Sequence, residues 1–335
     1  MCLSSSDLLQ RSVIVYDVHI TRVIKMQEIN GTPDLFGALE MQELHEQDQQ
    51  TSDLSDSNYP IVKAWAKGLR QVPNALIRCG LFTVGNNKNK REFWPAGKPV
   101  KVATYGSLEV SFQGEELRQD DLDVLLELIY IYQGKPSKSK VDFPPLHLIR
   151  DLGWSKNTAS YERLKKCILR LQMGVVSITM WVDKQKTEKL TYNGSFIRWS
   201  AFQEKTTENT ELSGKGFWIE MDPNLFKFFD AKSFTRLSWD HRKQIHSPLG
   251  KFLHAYFSSH DGRVGTNAKQ LMHIAGYRNN RADSFRKFKS QVSESLQKLK
   301  EIGAIADWTL DGETFNAKPI KWSANPKGLA KPSEG

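Results

Sequence analysis

The sequence predicts an α+β chain of two tandem winged-helix domains, each a helix-turn-helix followed by a β-hairpin, behind a mobile amino-terminal segment. Three observations carry that prediction. Apolar residues recur at helical spacing in three successive segments and then give way to strand-like runs, an order met first after residue 115 and again after residue 248. Glycine and proline stand at the junctions. Basic residues crowd the last helical segment of each half, where such a domain carries its groove-reading helix.

The head, up to about residue 60, is rich in Gln, Asp and Ser (Glu46-Gln47-Asp48-Gln49-Gln50-Thr51-Ser52-Asp53) and poor in aromatics, so it buries too little surface to offset its ordering entropy. Pro73-Asn74, Leu81-Phe82 and the polar run from Gly85 to Arg91 read as an irregular arm, and 100–112 as a strand and hairpin. Leu117, Leu122, Leu125, Leu126, Ile129 and Tyr132 predict a helix over 115–133, stopped by Gly134-Lys135-Pro136. Pro144-Pro145 opens a short helix to Asp151, Gly153 turns the chain, and Leu164, Ile168 and Leu171 predict a third helix over 157–172. Strands follow at 175–182, 190–202 and 217–221. The second half repeats the order with helices at 248–260, 267–275 and 282–302, the last carrying Phe285, Phe288, Val292, Leu296 and Leu299 on one face. Its hairpin strands, 304–310 and 314–321, turn at Asp311-Gly312. The division that results is an acidic, flexible segment 1–70, a first winged-helix domain with its arm 71–240, a second 241–325 and a flexible tail 326–335.

With 335 residues, 39% hydrophobic and 25% charged, and a mean hydropathy of −0.50, the chain reads as soluble and globular. No apolar run approaches the ~18 residues of a bilayer span, and no secretory signal is visible, so the expected location is the cytoplasm with no membrane partner. Cys2, Cys79 and Cys167 lie too far apart to suggest a disulfide framework or a paired-cysteine zinc site. The net charge of +9 hides an asymmetry: residues 1–60 carry 3 basic and 10 acidic groups, which leaves +16 on the remainder, a body suited to polyanions. No Gly-x-x-x-x-Gly-Lys-Ser/Thr loop, His-Glu-x-x-His helix or His-x-His pair occurs. His241, His246, His254 and His260 lack a consistent ligand spacing and read as polar surface or satisfied core residues. No enzyme activity, cofactor or metal is therefore expected.

In the third helix the buried stripe leaves Lys156, Thr158, Arg163, Lys166 and Arg170 toward solvent. The amino-terminal end of a recognition helix reaches base edges, so Lys156, Asn157, Thr158 and Ser160 are base-reading candidates, with Arg163 and Lys166 serving bases or phosphates. An ordinary solvated helix face is the competing account. The second copy is more basic, with seven Lys or Arg against Asp283 and Glu294 between residues 278 and 300. Arg278, Asn279, Asn280 and Arg281 offer the side chains suited to guanine and adenine edges at the start of that helix, followed by Arg286 and Lys287. Lys184, Lys186 and Lys189 in a first wing, and Lys318 and Lys321 in a second, are weaker phosphate candidates. In the acidic head, Thr32-Pro33-Asp34-Leu35-Phe36 reads either as a peptide that orders on a partner's apolar pocket or as a local hydrophobic contact.

Asp151-Leu152-Gly153-Trp154-Ser155, with Asn157, Tyr161, Cys167 and Arg170-Leu171-Gln172, resembles the TrfA-type replication initiators of IncP-like broad-host-range plasmids. Ser247-Pro248 with Tyr256-Phe257-Ser258-Ser259-His260 is a second match, and weaker ones extend the resemblance over about residues 70–310. The resemblance implies a non-enzymatic initiator that binds double-stranded direct repeats at a plasmid origin and helps open adjacent AT-rich DNA. It also implies a monomer–dimer equilibrium, and contacts with the host initiator DnaA, the replicative helicase and the polymerase sliding clamp. For the clamp, Asp34, Leu35 and Phe36 match the family's peptide pattern, while Thr32 and Pro33 depart from it. On fold alone a winged-helix transcriptional repressor is the alternative, and it would protect a promoter palindrome instead of direct repeats.

Overall fold

Helix caps and apolar spacing form the long helices close to where the sequence predicts them. The computed structural model describes residues 59, 61–105, 108–181, 187–203, 216–230, 234–277 and 281–322. β1 (Leu69–Pro73) leads to the single turn α1 (Asn74–Ile77), the short strands β2 (Phe82–Thr83) and β3 (Phe93–Trp94), then β4 (Val100–Val102) and β5 (Glu109–Glu115). β6 (Leu117–Arg118), α2 (Gln119–Ile131), β7 (Val141–Phe143), α3 (Pro145–Asp151) and α4 (Thr158–Met173) follow. After them come β8 (Val175–Trp181), β9 (Lys189–Gly194), β10 (Ile197–Phe202) and β11 (Phe217–Met221), then α5 (Pro223–Asp230), β12 (Phe234–Ser238) and α6 (Trp239–Gln244). The last part holds α7 (Pro248–Ser258), β13 (Val264–Asn267), α8 (Ala268–Ile274), α9 (Ala282–Glu301), β14 (Ile305–Asp311) and β15 (Thr314–Pro319).

Local chemistry sets the helix starts. The Asn157 side chain accepts from the Ser160 amide at 2.8 Å and caps α4. Ser247 does the same for Gly250 at 3.0 Å, with Pro248 in the first turn of α7, and Asn267 caps α8 through the Lys269 amide at 2.9 Å. α2 is shorter than the spacing predicts because the Asp121 carboxylate accepts the Arg118 amide at 2.8 Å, and residues 109–118 are extended.

The strands assemble into two three-stranded antiparallel sheets of the same order, β7–β11–β10 and β13–β15–β14. Each half thus runs helix, strand, helix, helix, hairpin, and in each the hairpin's second strand lies in the centre. The first copy carries an insertion, because β8 and β9 follow α4 but pair onto β5 in a separate sheet with β3 and β4. The single strand predicted over 190–202 is therefore two: Gly194 ends β9, and the chain crosses to β11 as β10. The hairpin that holds Lys189 is this insertion, and Lys184 and Lys186 lie outside the described residues.

Two hydrophobic cores result, one from Trp65 to Trp239 around α2 and one from Ile245 to Ala317 around α7, α8 and α9. α2 is buried on every side, although it carries Asp120, Asp121, Asp123 and Glu127. Asp123 accepts from Arg242 Nε at 2.8 Å and also pairs with Lys251 of α7, while Arg242 Nη2 donates to Gln119 Oε1 at 3.0 Å. Burial alone would raise the Asp123 pKa, but Arg242 and Lys251 outweigh it and hold the carboxyl below its usual value. Glu127 accepts twice from Arg70 Nη2 at 2.8 Å, and that guanidinium stacks on Tyr130.

His254 corrects the expectation of a satisfied core histidine. It is fully buried in α7, and neither ring nitrogen finds a hydrogen-bond partner among the described residues. Burial, with Arg242 and His241 nearby, pushes its pKa down to about 3.

Two outcomes follow for stability. Arg242→Met leaves Asp123 buried with one cation fewer and lowers the unfolding free energy by about 3 to 5 kcal/mol in urea titrations; a loss below about 1 kcal/mol would mean that Lys251 suffices. Folded His254 takes up its proton only near pH 3, whereas the unfolded imidazole does so near 6.5. Between those values the unfolded state binds more protons, so this contribution is whole above pH 6.5 and declines as the pH falls, by up to about 1.4 kcal/mol per unit. His254→Leu should flatten the stability profile between pH 6 and 4.5, and an unchanged slope there would count against this account.

Candidate nucleic-acid interface

α4 packs Tyr161, Leu164, Cys167, Ile168 and Leu171 inward, so its free side holds the residues between them. Lys156 is exposed in the turn before the helix, Thr158 in its first turn and Lys166 two turns further. Asn157 spends its side-chain oxygen on the cap, and Ser160 is half-buried beside it. Arg163 is anchored, its guanidinium 4.0 Å over the Trp154 ring and its Nε 3.4 Å from Asp120 Oδ2.

Arg170, read from the sequence as facing solvent, points inward. Its Nη2 lies 2.8 Å from Asp121 Oδ1, and the side chain is 10% exposed. The reason is the carboxylate pair at the head of α2, which draws in Arg91 from the arm and Arg163 and Arg170 from α4. Burial and the neighbouring Asp120 push the Asp121 pKa up despite Arg170 and Arg91. Burial likewise lifts the Cys167 thiol well above its usual value. Asp120, Asp121 and Cys167 bring their ligand atoms within 4.8 Å, the spacing of a metal site, but the three guanidinium groups already supply the positive charge there.

In the second copy, Arg278, Asn279 and Asn280 lie outside the described residues, as do Asp34, Leu35 and Phe36 of the head. Arg281 is exposed and immediately precedes α9. α9 buries Phe288, Val292, Ser295, Leu296 and Leu299 and divides electrostatically along its length. Near its amino end Arg286 is 78% exposed and 2.5 Å from Asp283 Oδ1, while Lys287 and Lys289 have no acidic partner among the described residues. Toward the carboxyl end Lys298 pairs with Glu294 at 2.6 Å and Lys300 with Asp307 at 3.0 Å. The surplus charge counted over 278–300 is thus concentrated at the helix start.

The β14–β15 turn is acidic, with Asp311 and Glu313 exposed on either side of Gly312 at φ +59°. Lys318 is exposed on β15 behind that turn. Lys321 is held 3.0 Å from Asp261 Oδ1 and donates to the Ser258 carbonyl at 3.2 Å. In the inserted sheet, the ammonium of Lys189 sits 4.6 Å over Trp181. The sequence reading missed the Trp154–Arg163 contact, for which the nine-residue separation across a turn and helix start was the available signal.

Paired modules that each expose the amino end of their last helix, the second with lysines that have no acidic partner among the described residues, define a DNA-binding protein. The family model described as TrfA protein matches residues 36–317, and the chain belongs to the TrfA family of plasmid replication initiators. Among solved structures, domains 2 and 3 of RctB align with 11% identity over 74% of this chain and 98% of that one, at a TM-score of 0.48. The Pi initiator protein in complex with iteron DNA aligns with 12% identity over 60% of this chain and 94% of that one, at a TM-score of 0.41. No curated protein matches. Among the described residues, no helix is long and apolar enough to cross a membrane.

Arg170→Gln separates structural from interface arginines. It should cost about 3 to 5 kcal/mol of stability, because Asp121 stays buried, while duplex affinity of the folded fraction changes less than twofold by fluorescence anisotropy. A large loss of affinity at unchanged stability would place Arg170 in the interface instead.

Proposed function

We propose that the chain initiates plasmid replication by binding iterons through two winged-helix domains, 71–240 and 241–325, with α4 and α9 as recognition helices. The observation that carries this reading is the α9 amino end, basic and exposed on a module that repeats, in a member of the TrfA family. Lys156, Thr158 and the free amide nitrogen of Asn157, with Ser160, read bases in the first half-site; Arg278, Asn279, Asn280 and Arg281 read the second. Arg163 acts mainly by orienting Trp154 and the α4 surface. Lys166, Arg286, Lys287 and Lys318 meet phosphates, and Lys321 adds to them only by leaving Asp261.

Two helices in successive major grooves have centres ~10 bp apart, so one chain covers roughly 17 to 22 bp and suits direct repeats of that pitch. Strain localised by bound repeats promotes opening of neighbouring AT-rich DNA, where stacking is weakest. The protein acts without catalysis of its own in the bacterial cytoplasm. It recruits DnaA and the replicative helicase as a monomer in equilibrium with a dimer, and Asp34, Leu35 and Phe36 contact the sliding clamp.

Anisotropy titrations with one origin repeat and a scrambled duplex, each over a salt series, test this directly. The expected result is a large preference for the repeat, with a salt slope that reports about 6 to 10 phosphate contacts. Arg281→Ala should lower cognate affinity by about 1 to 3 kcal/mol and relax specificity, whereas Lys318→Ala should weaken both duplexes alike. Equal affinity for the two duplexes would overturn the reading.

A further inference from the structure

A second surface shares no residue with α4 or α9. The chain from Tyr59 to Trp65, the start of α5 and strand β12 enclose a cavity of about 600 Å³. Its floor is hydrocarbon: Trp65 and Phe226 are buried, and Phe229 lies 6.3 Å from Phe226 and 6.0 Å from Phe234 by ring centroids. The rings lean on one another and form a continuous apolar trough. Ile61, 64% exposed, stands at its edge.

The charged groups among the described residues around this trough are all cations, and the amides of Gln71 and Asn224 stand among them. Lys63 and Lys227 are exposed on its rim, and Arg236 reaches in from β12 with its guanidinium 5.1 Å from the Phe234 ring. Among the described residues Arg236 Nε is buried without a hydrogen-bond partner, and no salt bridge engages Arg236. Ser137, 1% exposed, also lines the cavity, and its hydroxyl is likewise without a partner. No Asp or Glu is among the described residues that line it. Buried donors left unsatisfied are costly, and this group is complementary to anionic oxygens above an apolar anchor.

We propose that this cavity docks a short acidic peptide of a partner protein, an aromatic or large aliphatic side chain filling the trough and flanking carboxylates meeting Arg236, Lys63, Lys227 and Ser137. A nucleotide fits less well, because the floor offers carbon to the ring nitrogens and exocyclic groups of a base. The proposal is independent of duplex binding. It gives the chain a peptide-receiving site apart from its DNA face, one with which a replication partner can be held while the origin is bound.

The test uses the full chain and a fluorescein-labelled peptide, Asp-Asp-Asp-Phe-Leu-Phe, followed by anisotropy. Saturable binding is expected, weakened at least tenfold by Arg236→Gln, by Phe229→Ala, by reversing the peptide's charge to Lys-Lys-Lys-Phe-Leu-Phe, and by removing its anchors in Asp-Asp-Asp-Ala-Ala-Ala. Affinity for an iteron duplex should stay within twofold in both protein variants, which separates this site from the DNA face. If Phe229→Ala unfolds the protein, the exposed pair Lys63→Gln and Lys227→Gln takes its place, with at least a threefold loss expected. Absence of saturable binding, equal binding of the charge-reversed peptide, undiminished binding by Arg236→Gln, or displacement by thymidine monophosphate in place of unlabelled peptide would each overturn the proposal.

Discussion

The fold depends on burying one charged helix. α2 is enclosed on all sides, yet Asp120, Asp121, Asp123 and Glu127 stand on it, and each carboxylate must find a cation or remain at a cost of several kcal/mol. The partners come from separate parts of the chain: Arg70 on β1, Arg91 in the arm, Arg163 and Arg170 on α4, and Arg242 and Lys251 on α6 and α7. A hydrophobic helix of the same volume would be as stable or more so, but could rotate or slide without a large penalty. The ion pairs fix its rotation and tie both cores to one axis. Arg78 adds a second tie, donating from Nε to Ser259 Oγ at 3.0 Å and also to the Ser259 carbonyl.

This constraint bears on recognition. With α4 and α9 as the proposed recognition helices, their separation sets which spacing of DNA grooves one molecule can span, and both are referred to α2: α4 by packing and by Arg170, α9 by packing on α7, whose Lys251 meets Asp123. Rigid coupling of this kind favours one half-site pitch over others, since a flexible linker would accept several at lower affinity.

The helices were largely legible because their signals are local. The Leu164, Ile168, Leu171 stripe, the Asn157 and Ser247 caps and the Gly153 turn each lie within a few residues of what they determine. Sheet partners were not legible: nothing near Val175 states that β8 pairs with β5, or that β10 crosses to β11. Buried charge was hidden for the same reason. Asp123 and Glu127 fall within the helix predicted over 115–133, while their arginines lie 119 and 57 residues away. Arg170 was misread because its partner is 49 residues distant, although its helical phase placed it beside solvent. At the α9 surface the Glu294–Lys298 pair follows from i,i+4 spacing, whereas the Lys300–Asp307 pair crosses from helix to strand and needs the fold.

The same ion pairs decide the sign of the field at the DNA face. Asp120 and Asp121 lie directly beneath α4, and at low effective dielectric two uncompensated carboxylates there would oppose an approaching phosphate. Arg91, Arg163 and Arg170 cancel them inside the protein, so Lys156 and Lys166 project their charge outward undiminished. On the second module the acids stay outside, at Asp311 and Glu313 on the hairpin turn, and repel the backbone there. Neutralisation beneath α4 and repulsion at the β14–β15 tip thus act in one direction, and both favour the helix amino ends over the hairpin tip as the proposed phosphate contacts. In the proposed complex the hairpin meets the duplex through Lys318, behind its acidic turn.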